Sequence, residues 1–301
     1  MTTEKTLFSI LIANYNNGRY LQEALDSVFR QTYTHWEVVL VDDGSTDGLS
    51  EQIYQKYTSP DSPDFDSRIH IYLNEENHGC GYTKRRCVEL ARGELCGFLD
   101  PDDALTPDAL EVMVAEHGKH PEVAVIGSCY WCVDEQMNKL WHSEQKIIPE
   151  GQSWLTTTTT HAPISFASYK GKRYRQTEGI NPNLKRAVDF DLYVKLEEQG
   201  GIHFISAITY YYRIHDNQIS TSGDFKSLYW QIYVIIKACE RRNISAENVV
   251  DSLLKDNWQW YIYNGVGYQV PKKKMPILKR LARKISRMIK RMCLCLPRLV
   301  S

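Results

Sequence analysis

The chain has 301 residues, 43% of them hydrophobic and 24% charged, enough apolar material to bury the core of one large domain or two small ones. Its net charge of −1 hides an asymmetry, because residues 272–298 carry eleven Lys or Arg and no acid, which leaves −12 for the rest. An acidic body argues against general nucleic-acid binding and confines any affinity for polyanions to the basic segment.

In the first hundred residues, apolar runs alternate with helical patterns. Continuous apolar runs predict buried strands, and apolar positions three and four residues apart predict helices, so we expect βαβ units and a parallel sheet. Strands are predicted at 8–13, 36–41, 68–73 and 95–99. A helix is expected after each of the first three strands, the third at about 82–92.

The pattern is less regular in the second half of the chain. A strand is predicted at 123–133 and a helix at 189–199. Residues 225–265 are predicted to be helical and rich in aromatic side chains.

The eight cysteines are scattered, the first residues show no secretion signal, and no apolar run is long enough to cross a bilayer. We therefore expect free thiols in a cytoplasmic protein. Cys129 and Cys132 have the spacing of a metal or redox pair, but no second Cys or His pair accompanies them, which favours strand or core thiols.

Three predicted strands end in polar turns. The fourth strand ends on Asp100, Asp102 and Asp103, which places carboxylate oxygens at the edge where a doubly wound sheet binds ligands. Hard divalent cations prefer oxygen ligands. The sequence therefore indicates a site for a metal-bound phosphate.

Five motifs in matching order and spacing resemble the family-2 glycosyltransferases of the GT-A fold. The matching segments are Ala13–Asn16, Val41–Ser45, Asn77–Gly79, Phe98–Asp103 and a stretch from Arg186 to His215. The resemblance covers roughly residues 7–220. It implies an α/β, Rossmann-like, mostly parallel sheet with flanking helices and a C-terminal helical extension.

On this basis we expect a GT-A domain over 1–220, with a nucleotide-binding half at about 1–110 and an acceptor half at about 111–220. A helical extension over 221–270 and a basic amphipathic tail over 271–301 complete the predicted organisation.

The resemblance also implies roles for individual residues. Asp102 is the expected ligand of Mn2+ or Mg2+, which neutralises the leaving diphosphate, and His215 either ligates the metal or touches the diphosphate. The expected nucleotide-binding residues are Ala13, Tyr15 packing on the base, Asp43 accepting from its imide N–H, Lys84 near the phosphates, and Asp100 on the ribose. Arg85 shares the position of Lys84, but the motif there departs from the family's usual Ala-Arg-Asn.

Inverting transfer requires a carboxylate that takes the proton of the attacking hydroxyl. The family uses the Asp of a Glu-Asp pair near the start of a helix, and this chain has Val188 and Asp189 at that point. Asp189 is therefore the expected base, and Asp191 the weaker choice. Taken singly, some of these residues also allow a purely structural role. Asp42 and Asp43 would then only form a turn that leads into a helix, Asp103 would cap a helix near Ala104, and His215 would be a hydrogen-bonded core histidine.

Residues 272–298 combine an apolar stripe at helical spacing with a cationic face, a pattern typical of a helix lying on anionic lipid. The alternative is a solvated helix docked on the body.

Together these features predict a metal-dependent hexosyl- or N-acetylhexosaminyltransferase that is peripheral at the inner face of the cell membrane. It is expected to move a sugar from a nucleotide-diphospho-sugar, expected to be UDP-linked, to a surface polysaccharide or lipid-linked glycan. The competing hypotheses are a sugar-phosphate nucleotidyltransferase and an inactive scaffold that binds nucleotide and membrane.

Overall fold

The computed structural model describes residues 5–157, 164, 166–215, 225–256, 261–263 and 266–268. The predicted tail at 272–298 lies outside the described residues. The strands are Phe8–Asn14 (β1), Trp36–Asp42 (β2), Ile69–Leu73 (β3), Leu95–Phe98 (β4), Ala104–Leu105 (β5), Val125–Val133 (β6), Lys139–His142 (β7), Ala167–Lys170 (β8), Ile202–Arg213 (β9), Tyr261–Tyr263 (β10) and Val266–Tyr268 (β11). The helices are Gly18–Phe29 (α1), Leu49–Thr58 (α2), Cys80–Leu90 (α3), Ala109–Lys119 (α4), Gly171–Tyr174 (α5), Val188–Glu197 (α6), Phe225–Arg242 (α7) and Ala246–Asp256 (α8), with a 3₁₀ turn at Trp154–Thr156.

One mixed sheet has the strand order β3-β2-β1-β4-β8-β6-β9-β5, and β7 pairs with β6. Strands β3, β2, β1 and β4 run parallel, whereas β8 is antiparallel to both β4 and β6. Strand β9 runs parallel to β6, and the short β5 pairs antiparallel with the end of β9. The strand order reverses between β1 and β4, which marks the usual ligand crevice of such a sheet.

The first half folds as its hydrophobic pattern predicts. All seven residues of β2 are buried, as expected for a parallel strand covered on both faces. Helix α1 buries Leu21, Ala24, Leu25 and Val28, the positions on its apolar stripe. Gly18 permits close contact of α1 with the start of α2, since a Cβ there would lie 2.5 Å from the Ser50 nitrogen.

Several predicted boundaries were wrong. Helix α3 spans Cys80–Leu90 and not 82–92, and α6 spans Val188–Glu197 and not 189–199. Asp103 precedes strand β5, so it caps no helix near Ala104. The helical prediction for 225–265 holds for α7 and α8 but fails at β10, which pairs antiparallel with β11.

The chain divides into two compact units, residues 1–250 and 251–301. Within the first unit, α7 packs on α6 through an ionic cluster in which Arg242 contacts Glu197 at 2.8 Å and Glu198 at 3.0 Å. The subdivision predicted at about 110 and 220 stays a prediction. Among the described helices, none has both the length and the hydropathy required to span a membrane.

Candidate active site

The polar turns singled out in the sequence lie on one edge of the sheet. Because β1, β2 and β4 are parallel, the residues that follow them meet at their carboxyl ends. Ala13 sits near the end of β1 in register with Val41 of β2, and Tyr15 follows with 46% of its surface exposed. An exposed aromatic ring at a switch point is available to stack on a planar ligand.

Asp42 is a structural residue of this edge. Its Oδ2 accepts hydrogen bonds from the Asn14 amide at 3.0 Å and the Tyr54 hydroxyl at 2.5 Å, and its Oδ1 accepts from the Ser45 N–H at 2.8 Å. Burial, and then Asp42 itself, raises the pKa of Tyr54, so the phenol remains a donor. These bonds join the turns after β1 and β2 into one rigid support.

Asp43 is also buried, with 3% of its surface exposed. Its carboxylate accepts from the Asn74 amide at 2.7 Å, the His78 N–H at 3.0 Å and the Gly79 N–H at 2.7 Å. It thereby fixes the turn that leads into α3, where Gly79 takes a φ of +91°. A carboxylate has about four acceptor positions, so three donors leave room for one more, such as a base N–H.

Lys84 links the acidic turn after β4 to the first turn of α6. Its Nζ donates to Asp100 Oδ1 at 3.0 Å and to Asp189 Oδ1 at 2.8 Å, and its side chain is only 5% exposed. Burial alone would lower the pKa of Lys84, but Asp100 and Asp189 outweigh it and hold that pKa well above the ordinary value. Lys84 is therefore a fixed cation, and these two carboxylates use two of its three donors.

The start of α3 is held close to the chain that precedes α6, which explains how Lys84 reaches Asp189. The Gly81 N–H donates to the Leu184 carbonyl at 3.0 Å, and a Cβ on Gly81 would lie 2.6 Å from that oxygen. Arg85 reinforces the same contact by donating to the Ile180 carbonyl at 3.1 Å. Arg85 thus serves packing, and Lys84 is the cation of this pair that faces the carboxylates.

Asp189 and Asp191 have different surroundings although both lie in the first turn of α6. The Asp189 side chain is 42% exposed and contacts Lys84, whereas Asp191 is buried and accepts from Lys195 Nζ at 2.7 Å and the Asn181 N–H at 3.1 Å. Ala187, just before the helix, takes a φ of +56°, a conformation unusual for a residue with a Cβ. The backbone thereby turns into the helix with Asp189 facing the site.

The acidic turn after β4 is crowded. Burial and the neighbouring Asp100 raise the pKa of Asp102, and burial followed by Asp102 and Asp100 raises the pKa of Asp103 well above its usual range. Asp102 Oδ2 lies 3.0 Å from His215 Nε2, and the His215 ring packs on Tyr20 at 4.8 Å.

This turn fits a divalent cation. A carboxylate oxygen and an imidazole nitrogen converge there, and the crowding of like charges is relieved by a cation. Mg2+ and Mn2+ accept few protein ligands when substrate phosphates and waters complete the coordination shell. Asp102 and His215 would hold such an ion.

Arg213 lies in the motif from Arg186 to His215, and the sequence alone predicts no role for it. Its backbone N–H donates to Asp103 Oδ1 at 2.8 Å, and its guanidinium donates to the Asp102 carbonyl at 2.7 Å and to Glu23 Oε2 at 2.7 Å. It is 1% exposed. An arginine at an inward position of a long strand was the available signal, because a buried arginine requires several acceptors.

Comparison with known proteins gives a consistent result. The family model described as "Glycosyl transferase family 2" matches residues 9–176. A chondroitin synthase from Escherichia coli is 31% identical over 219 residues, which is 71% of this chain and 30% of that protein. The chain spans 26–30% of the length of this protein and of two similarly matched synthases from Pasteurella multocida.

Two solved structures share the fold. TarS from S. aureus in complex with UDP-GlcNAc has a TM-score of 0.65 at 20% identity, over 83% of this chain and 72% of that one. The mannosyltransferase PcManGT from Pyrobaculum calidifontis, in complex with GDP-Man and Mn2+, has a TM-score of 0.61 at 15% identity, over 95% and 81%. The predicted GT-A fold is confirmed by this likeness.

Proposed function

Because the chain belongs to glycosyl transferase family 2, we propose that it moves a hexosyl or N-acetylhexosaminyl group from a UDP-sugar to a hydroxyl of a surface polysaccharide or lipid-linked glycan, with inversion. The observation that carries the proposal is the Lys84 bridge. It holds Asp189 within reach of Asp100 at the crevice where a nucleotide binds. Family membership favours this activity over the nucleotidyltransferase alternative.

In the proposed reaction, Asp189 takes the proton of the acceptor hydroxyl. The hydroxyl oxygen bonds to the anomeric carbon, and the bond from that carbon to the diphosphate breaks with its electron pair leaving on the diphosphate. Lys84 contacts Oδ1 of Asp189, and the other carboxylate oxygen is proposed to accept the proton.

The nucleotide is proposed to lie across the carboxyl ends of β1, β2 and β4. Tyr15 stacks on the base, Asp43 uses its remaining acceptor position for an imide N–H, and Asp100 bonds a ribose hydroxyl. The Ala13 backbone lines the same crevice. A divalent metal bound by Asp102 and His215 would neutralise charge on the departing diphosphate.

The choice of nucleotide is tested by thermal unfolding of the full chain with UDP or GDP in the presence of Mn2+, followed by assays of UDP release from UDP-sugars. We expect UDP to raise Tm and a UDP-sugar to be turned over, with chelator abolishing turnover. Asp102→Ala should behave as the chelated enzyme does. Stabilisation and turnover with GDP-linked donors alone would refute the uridine assignment.

We further propose that residues 272–298 attach the enzyme to the inner face of the membrane, on the evidence of the sequence pattern. Eleven cations each contribute about 1 kcal/mol near an anionic leaflet, and the apolar stripe adds burial of Ile, Leu and Met side chains. The remainder of the chain is acidic and would be repelled by that surface. The same location would bring the enzyme to a lipid-linked acceptor.

A further inference from the structure

A second group of potential metal ligands lies at the other end of β9. Glu116 lies in α4, His120 directly follows that helix, and His203 is the second residue of β9. One donor atom from each of these three half-buried residues lies within 4.8 Å of the others. Among the described residues, no other group of three or more His, Cys, Asp or Glu side chains has its donor atoms this close together.

The backbone brings these side chains together. The His120 N–H donates to the Glu116 carbonyl at 3.0 Å, so the helical turn continues and places the two side chains on one face. His120 Nε2 then lies 3.9 Å from Glu116 Oε2. The His120 and His203 rings have centroids 4.3 Å apart and planes inclined at 35°. Ligand atoms of a tetrahedral zinc site are roughly 3.5 Å apart, so small side-chain rotations bring the three to one ion.

The surroundings of the cluster resemble the outer shell of a metal site. His120 Nδ1 lies 3.8 Å from Glu122 Oε1, so a small side-chain rotation would let a histidine that ligates through Nε2 donate its other N–H to this carboxylate. Lys119 contacts Glu116 through Oε1 at 2.7 Å, which leaves Oε2 available.

The cluster is distant from the turn that carries Asp102. Strands β6 and β9 run parallel, and His203 lies near the start of β9 whereas Arg213 ends it beside the acidic turn. Ten residues of strand separate them, a distance of roughly 30 Å. An ion at the cluster therefore does not take part in sugar transfer.

We infer that Glu116, His120 and His203 form a zinc site that clamps the end of α4 to the start of β9. Two imidazoles and one carboxylate suit Zn2+ better than Mg2+ or Mn2+, which prefer oxygen ligands. Three protein ligands leave a fourth position for water. The inference is independent of the proposed transferase reaction.

The test is calorimetric titration of the full chain with Zn2+ in a buffer containing excess Mg2+, which occupies oxygen-rich sites. We expect His203→Ala and His120→Ala each to weaken one zinc-binding event at least tenfold and to remove the Tm rise that Zn2+ gives the wild type. His35→Ala is the matched control, because His35 is exposed and precedes β2. Circular dichroism of the metal-free variants verifies that they are folded.

Two results would overturn the inference. One is equal zinc stoichiometry and affinity in the wild type and His203→Ala. The other is an equal loss in His35→Ala. Glu116→Gln supplies an independent check, since it preserves side-chain volume while removing the anionic ligand, and it should weaken the same binding event.

Discussion

Replacing Lys84 with methionine removes a buried cation from between two carboxylates while keeping most of the side-chain volume. Lys84 Nζ is 2.8 Å from Asp189 and 3.0 Å from Asp100. If Asp189 is the base, loss of this cation removes the contact that positions its carboxylate. We therefore expect kcat to fall.

The size of the fall in kcat follows from the exposure of the partners. Breaking a fully buried ion pair costs about 3–5 kcal/mol, whereas exposed pairs contribute about 0.2–1 kcal/mol. The Lys84 side chain is 5% exposed but that of Asp189 is 42% exposed, so solvent screens much of the interaction. An intermediate value of about 1.5 kcal/mol corresponds to about a tenfold fall in kcat.

The assay measures kcat at saturating donor and acceptor. Lys84→Met should be about tenfold slower than the wild type. Lys84→Arg, which retains the charge, should recover most of the lost rate. Arg85→Met is the matched control on the same helix, because Arg85 contacts Glu89 at 2.7 Å and not the site carboxylates.

A kcat of Lys84→Met equal to that of the wild type would refute this role for Lys84. The same conclusion would follow if Arg85→Met lowered kcat equally, since the loss would then report packing of α3 against the chain before α6. Donor KM measured in parallel separates a contact with the diphosphate from an effect on the base.

Three further predictions concern the base, the fold and the tail. Asp189→Asn should lower kcat at least about a hundredfold with Tm unchanged. Asp191→Asn should instead lower the free energy of unfolding by about 3 kcal/mol, because it leaves Lys195 partly unpaired. If Asp191→Asn lost the activity and Asp189→Asn kept it, the base would be Asp191. Burial lowers the pKa of His117 from 6.5 to about 4, so below pH 6.5 the unfolded chain takes up the proton first and stability falls. Between pH 7 and pH 5 the loss should be about 2 kcal/mol by urea unfolding and much smaller in His117→Leu. Deleting residues 272–301 should abolish sedimentation with anionic vesicles at low salt and preserve nucleotide binding; continued sedimentation would refute the tail as anchor.

The strands β1, β2 and β4 could be predicted because a buried parallel strand is a short continuous apolar run whose signal is local. The sequence from 104 to 213 was harder. Strand β5 has two residues and pairs with β9, about a hundred positions further along the chain. Strand β8 has four residues and pairs with β4 and β6, several tens of positions earlier. Such pairings depend on tertiary contacts that a window of sequence does not contain.

The site shows the same division. Asp100, Asp102 and Asp189 stand in recognisable motifs, but Lys84 and Asp189 are 105 residues apart in the sequence. The hydrogen bonds of Arg213 to Asp102 and Asp103 join residues 110 or more apart. The sequence therefore indicated which side chains carry the chemistry. It did not indicate which cation each carboxylate would face.

Like charges are crowded in the acidic turn after β4. Lys84 donates to Asp100 and Asp189, and the guanidinium of Arg213 donates to the Asp102 carbonyl, the Glu135 carbonyl and Glu23. Burial first, and then the neighbouring carboxylates, raise the pKa values of Asp102 and Asp103. The turn lies between the paired strands β4 and β5, which limits how far its carboxylates can separate, and a bound divalent cation would relieve their repulsion. The electrostatic cost of crowding these acids thus favours metal affinity at the point where a leaving diphosphate would develop its charge.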